Sequence, residues 1–217
     1  GVSFESISVG SSHTCALTAG GQTYCWGANQ AGQLGDGTDI DRNVPTAVDQ
    51  SIGGGVSFAS ISAGGDHGCG LTAGGLAYCW GGNWSGQLGD GTSDSRSSPT
   101  AVDQSGGGGV TFTSISASTE GTCGLAPGGQ AYCWGWNSSG QLGDGTTTDR
   151  SAPTAVQQSG VDEESFASIA AGLFHSCAVN SAGRGYCWGR NQDRQLGDGT
   201  VINRLTPVAV AGTRATR

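Results

Sequence analysis

Thr23-Tyr24-Cys25-Trp26 decides the reading of this chain, because it returns as Ala77-Tyr78-Cys79-Trp80, Ala131-Tyr132-Cys133-Trp134 and Gly185-Tyr186-Cys187-Trp188. The four tryptophans stand 54 positions apart with no insertion to absorb, and four such units fill 216 of the 217 residues. Phe4, Phe58, Phe112 and Phe166 keep the same register, as do Pro45, Pro99, Pro153 and Pro207. A fixed period of about this length marks a solenoid, propeller or array in which small units share their cores. The expected division is one domain, 1–217, with repeats near 1–54, 55–108, 109–162 and 163–217.

Working outward within the first unit, Phe4 to Val9 alternates apolar and polar residues, the pattern of a half-buried strand. His13 to Thr18 reads as a second strand, Ala19-Gly20-Gly21-Gln22 as a hairpin turn, and Thr23 to Trp26 as the returning third strand. Gly32 to Thr38 is a glycine-rich loop, and Pro45 to Val48 suits a short outer strand, where proline is tolerated. About four short antiparallel strands per unit make a blade, so the expected fold class is all-β, a β-propeller of four tandem blades.

The second unit carries Ala63-Gly64, His67, Leu71-Thr72, Gly75, Tyr78, Trp80-Gly81, Asn83, Gly86-Gln87-Leu88-Gly89-Asp90-Gly91-Thr92, Pro99 and Val102. Most of this pattern recurs in all four units, and it resembles the regulator of chromosome condensation repeat family. The resemblance implies propeller blades and points to protein partners, since members of that family include protein binders. Such propellers commonly have seven blades, so four repeats are a departure.

Each unit holds two cysteines ten residues apart: Cys15/Cys25, Cys69/Cys79, Cys123/Cys133 and Cys177/Cys187. If the turn is centred near Gly20, Cys15 faces Cys25 across the hairpin at a separation a disulfide can span. Zinc is the weaker alternative, because zinc sites use closer cysteine pairs. Free buried thiols would not explain an even pair in every copy. A short loop closed in this way gains about 2–3 kcal/mol on the chain-entropy model. Disulfides that persist imply an extracellular or cell-surface setting.

The composition excludes several functions. Seventeen acids against nine basic residues, all arginine, give a net charge of −8, the wrong sign for gripping a phosphate backbone, so no nucleic acid is expected. Apolar runs are far too short to cross a bilayer, so no membrane insertion is expected. The sequence opens at Gly1 without a methionine or an apolar leader, which reads as a processed or truncated chain.

The same logic applies to candidate chemistry. Asp36, Asp90, Asp144 and Asp198 recur in every glycine-rich loop. With Asp39 and Asp41 the first of them suggests calcium, but those extra carboxylates become Ser93 and Ser95 in the next copy. Turn-forming hydrogen bonds explain the recurrence better. Arg42, Arg96, Arg150 and Arg204 recur three residues before each proline, as expected of structural partners for a neighbouring aspartate or carbonyl. His13, His67 and His175 share one repeat position, held by Gly121 in the third copy, and are expected to be hydrogen-bonded within their own blades. No nucleophile, base and orienting acid come together in a motif, so neither an enzyme nor a cofactor is expected. Asn83-Trp84-Ser85 and Asn137-Ser138-Ser139 match glycosylation acceptors, although Asn29 and Asn191 occupy the same position without the hydroxyl.

Where near-identical copies disagree, the blade has released the position for surface use. Trp84 replaces Gln30, Ser138 and Gln192, while Trp136 replaces Ala28, Gly82 and Arg190. Phe174 replaces Ser12, Asp66 and Glu120. Arg184, Arg190 and Arg194 are new to the fourth copy, which makes it the basic one. Trp84, Trp136, Phe174, Arg190 and Arg194 are therefore the candidate binding surface. Neither end reads as a polar cap, so the outer flanks are expected to be covered by closure into a four-bladed ring or by another chain. Gly53-Gly54-Gly55 and Gly106 to Gly109 read as flexible links. The expected function is a non-catalytic extracellular recognition or scaffold module with a protein partner or copies of itself. The alternatives are a self-assembling filament or matrix subunit and a carbohydrate-binding propeller.

Overall fold

The computed structural model describes residues 1–107, 109–162 and 165–212. Each unit forms one four-stranded antiparallel sheet. The first blade comprises β1 (Ser6–Val9), β2 (His13–Leu17), β3 (Thr23–Gly27) and β4 (Arg42–Ala47). The second has β5 (Phe58–Ala63), β6 (His67–Thr72), β7 (Ala77–Gly81) and β8 (Arg96–Ala101). The third has β9 (Ser114–Ala117), β10 (Gly121–Leu125), β11 (Ala131–Gly135) and β12 (Arg150–Ala155). The fourth has β13 (Phe166–Ala171), β14 (His175–Asn180), β15 (Gly185–Gly189) and β16 (Arg204–Ala209). Strand order follows the sequence, so each sheet is a plain meander.

The hairpin register is the one the cysteine spacing requires: Cys15 faces Cys25, and the three equivalent pairs do the same. All four pairs form disulfides, each with Cα atoms 4.1 Å apart. The outer strand starts at Arg42, earlier than its proline suggests, because Arg42 pairs with Gly27 beyond a bulge at Trp26. The same bulge recurs in the other three blades.

Apolar packing lies between blades rather than inside them, since a single sheet has no second layer of its own. The disulfide, Leu17, Leu34 and Val48 of the first blade pack against Phe58 and Trp80 of the second, and the next two joints repeat the arrangement. Within each blade the phenylalanine stacks beside the tryptophan, as Phe58 does on Trp80 at 5.9 Å. Across each joint the indole N–H donates to a backbone carbonyl of the preceding blade: Trp80 to Gln33, Trp134 to Gln87 and Trp188 to Gln141, each at 3.0 Å. Ser8, Ser62 and Ser116 accept the backbone N–H of Ala63, Ala117 and Ala171 at 2.9–3.1 Å, which sets the inner strands side by side.

Two expectations need correction. The blades form an arc in which each packs on the next, and among the described residues no comparable packing joins the fourth to the first, so the four sheets do not close into a four-bladed ring. Its first flank stays open: Ile7 is 63% and Val9 70% exposed. Trp26 is accordingly only half-buried, while Trp80, Trp134 and Trp188 are core residues. The glycine-rich links are folded turns rather than free tethers. Ile52–Gly54 and Gln104–Gly107 are short 3-10 turns, and the Gln50 amide ties the first of them to Gly21 O and Val56 O. Gly108 lies outside the described residues.

Candidate functional site

The long loop after the third strand of each blade is built from one asparagine outward. Asn83 is fully buried; its Oδ1 accepts Leu88 N–H at 2.9 Å, and its Nδ2 donates to Thr92 O at 3.2 Å and Asp94 O at 3.0 Å. Asn29, Asn137 and Asn191 are equally buried and likewise take up the leucine N–H and donate to the threonine carbonyl. With both ends engaged and no exposure, Asn83 and Asn137 cannot carry a glycan in the folded chain, whatever the motif suggests.

The next layer is the aspartate. Asp90 Oδ1 accepts Thr92 N–H at 3.0 Å and the Thr92 hydroxyl at 2.7 Å, while Oδ2 takes Arg96 Nε at 3.0 Å and Nη2 at 2.9 Å. Asp36–Arg42, Asp144–Arg150 and Asp198–Arg204 repeat this two-pronged pair. Burial pushes these carboxyls up, but the threonine hydroxyl, the guanidinium and the threonine N–H outweigh it and hold all four below the usual carboxylate range. The aspartates thus organise turns, and among the described residues no group of three His, Cys, Asp or Glu side chains is placed to hold a metal.

Two of the three histidines, His13 and His67, sit at the joints rather than within single blades. His67 Nε2 lies 2.9 Å from Thr122 Oγ1 of the next blade. Thr122 spends its own proton on Gln87 O at 2.9 Å. His67 therefore donates from Nε2, leaving a bare Nδ1 that is buried without a partner. Burial, with a smaller contribution from nearby His13, pushes the His67 imidazole down to about 3. His13 has no well-formed hydrogen bond at either ring nitrogen and is pushed down by burial to about 4, against the opposing effect of Asp66.

The five surface candidates do not form one site. Trp136 and Phe174 meet edge to face at 5.2 Å, and the Arg190 guanidinium lies over Phe174 at 5.3 Å while pairing with Asp193 at 3.1 Å. These three half-buried side chains pack on one another across the third and fourth blades. Arg194 is exposed and adopts φ 62°, the only non-glycine positive φ among the described residues. Its counterparts Gly32 and Gly86 leave no room for a side chain, because a Cβ would come within 2.8 and 2.6 Å of the Cα of Ser97 and Ser151 in the following blade. The flank of the fourth blade, on which none of the described residues of another blade packs, tolerates arginine there. A neighbour seated as in the internal joints would have to shift.

Trp84 is different. It is 64% exposed, and its indole lies on Gly82, where an added Cβ would come within 2.8 Å of the ring. The first, third and fourth copies hold Ala28, Trp136 and Arg190 at that position, so only the second blade can seat the ring in this way. Trp84 forms one wall of three neighbouring clefts of about 460, 390 and 210 Å3. Sequence comparison between copies finds Trp84 directly. It gives no sign of the clefts, nor of Gly82 as the platform beneath the ring.

The four meander sheets and their repeated joints define a propeller-type repeat protein with one disulfide in each blade. The profile of the regulator of chromosome condensation (RCC1) repeat matches residues 20–71, 74–125, 128–179 and 182–217, and a second RCC1-repeat profile matches 4–33, 58–87, 112–141 and 166–195. The chain belongs to the RCC1 repeat family. It is 31% identical to the ultraviolet-B receptor UVR8 of Arabidopsis thaliana over 97% of its own length and 46% of that protein. It is also 31% identical to human E3 ubiquitin-protein ligase HERC2, over 95% of this chain but only 4% of that one. Among solved structures, human WBSCR16 superposes with a TM-score of 0.85 at 25% identity, covering 97% of this chain and 53% of that one. Yeast RCC1 (Prp20), solved bound to Kap60, gives 0.80 at 23%, covering 98% and 49%. The chain thus spans about half the length of UVR8, WBSCR16 and yeast RCC1 and a small part of HERC2.

Proposed function

We propose that the chain is a non-catalytic protein-recognition scaffold, held rigid by its disulfides, with the loop rim around Trp84 as its contact surface. One observation carries the reading: a large aromatic side chain released from the repeat pattern is held out in solvent on a platform of its own. Rigid, exposed tryptophan is the side chain that most often anchors protein contacts. Relatives point the same way, since yeast RCC1 is seen with Kap60 and Prp20p is described by its binding to Gsp1p and histones. We place the chain outside the cell or on its surface, and that part of the proposal rests on the disulfides alone.

Selection of a random peptide display library against the intact chain tests the reading. Peptides that bind the parent and fail on Trp84→Ala, with the melting temperature unchanged, are the expected result. Peptides that bind both equally would remove the rim from the account.

A further inference from the structure

We propose that the clefts around Trp84 take a basic peptide segment, with an arginine or lysine side chain stacked on the indole. The proposal rests on the rim reading above and names the chemistry of the partner.

Each of the three clefts that share Trp84 contains one ionisable side chain, and each time it is an aspartate: Asp39 in the largest, Asp66 in the next and Asp149 in the smallest. No arginine or histidine lines any of them, and the chain has no lysine. Among the described residues none of the three carboxylates is in an ion pair. Asp66 accepts only Gln33 Nε2 at 3.4 Å and Asp149 the Asn137 N–H at 2.7 Å, so each keeps an oxygen free. The arginines of the same loops, Arg42, Arg96 and Arg150, are held by Asp36, Asp90 and Asp144 and do not neutralise the rim.

The result is an exposed indole whose three adjoining clefts each carry one carboxylate, in a chain of net charge −8. An aromatic face attracts a cation through its quadrupole, most strongly for tryptophan. The carboxylates add to this for cations flanking the first, and they repel phosphate, sulfate or acidic peptides. The remaining lining groups are Gln30, Thr38, Ser95 and Ser97 in the largest cleft and Ser12 and Gln33 in the next, which suit a peptide backbone lying across the ring. Gly82 fixes the indole before binding, so little conformational entropy is lost on contact.

The test is fluorescence anisotropy of a labelled peptide of Arg-Gly-Ser repeats and of its citrulline counterpart, which is isosteric and neutral, with the full 217-residue chain. The arginine peptide is expected to bind at least about tenfold more tightly and to weaken as salt rises. Trp84→Ala leaves net charge unchanged and is expected to cost about tenfold, so its effect cannot come from general attraction to an acidic protein. Gly82→Ala keeps the indole but displaces it, and should weaken the arginine peptide in the same direction. The double variant Asp39→Asn/Asp66→Asn should also weaken it, whereas Asp103→Asn, an exposed carboxylate lining none of the clefts, should not. Equal binding of both peptides, or indifference to Trp84→Ala, overturns the proposal. If displayed peptides need Trp84 but not positive charge, the rim reading stands and the cationic class falls. Binding of a neutral oligosaccharide such as cellotetraose in place of the peptides, lost in Trp84→Ala, overturns it in favour of sugar.

Discussion

Acidification is the perturbation that probes the joints most directly. His67 and His13 are buried neutral, with imidazoles held at about 3 and about 4, whereas a histidine in the unfolded chain titrates at about 6.5. The unfolded chain therefore takes up protons first. The stability these groups contribute is complete above about pH 6.5 and is lost as pH falls towards their folded values. At about pH 5 each neutral histidine forgoes a protonation worth about 2 kcal/mol, so the pair should cost about 4 kcal/mol relative to pH 7.5. The turn aspartates do not contaminate this window, because the stability that comes from their lowered values is lost only once pH falls through the unfolded carboxylate value of about 3.9. Urea unfolding at fixed ionic strength and about pH 7.5, 6 and 5 should show a falling midpoint with an unchanged slope against denaturant. His67→Gln, which keeps a donor for Thr122 but cannot be protonated, should remove about half of the part of the pH dependence that His67 and His13 contribute, with the lowered His175 adding its own share in both proteins. A midpoint that stays flat to pH 5, or an identical fall in the variant, would refute the neutral, one-sided hydrogen bond assigned to His67.

Three further outcomes follow from the same geometry. Non-reducing digestion and mass spectrometry should recover Cys15–Cys25 and its three counterparts, and reduction should lower stability by about 2–3 kcal/mol per bridge; linkage between copies would contradict the blade register. Gly89→Ala should destabilise by about 2 kcal/mol or more, since its Cβ would sit 2.6 Å from Trp134 Nε1 at φ 71°, whereas Gly197→Ala, which faces only Val210 at 3.1 Å, should cost less in thermal melts. Arg194→Gly should raise stability by up to about 1 kcal/mol in urea titrations by relieving the positive φ; a loss would mean the guanidinium holds the fourth blade in a way its contacts do not show.

Spacing carried the blade into the sequence. Cysteines ten residues apart around a Gly-Gly turn leave one hairpin register, and a phenylalanine, tryptophan and proline at constant offsets leave one sheet order. What lay between blades was less legible. The histidines were expected inside their own blades because sequence neighbours suggest local partners, yet Thr122, the partner of His67, is 55 residues away. The glycine links looked free because composition cannot show that Gln50 and Gln104 reach across and tie them to the preceding hairpin. Ring closure depends on the wedge angle between sheets, which no residue pattern records.

Variation between copies sorted the surface candidates only after the contacts were known. Trp136, Phe174 and Trp84 all depart from the repeat and look equivalent as letters. Trp136 and Phe174 changed together and cover each other, which is coupled packing across one joint. Trp84 changed opposite a loss of side chain at Gly82, which raises the ring into solvent instead of burying it. A departure that creates its own cover serves the joint, whereas a departure that creates a platform leaves a face for something else. By that distinction Phe174 and Arg190 of the fourth blade belong to the joint with the third, and the rim of the first three blades, where Asp39, Asp66 and Asp149 line the clefts that share Trp84, is the surface we propose for recognition.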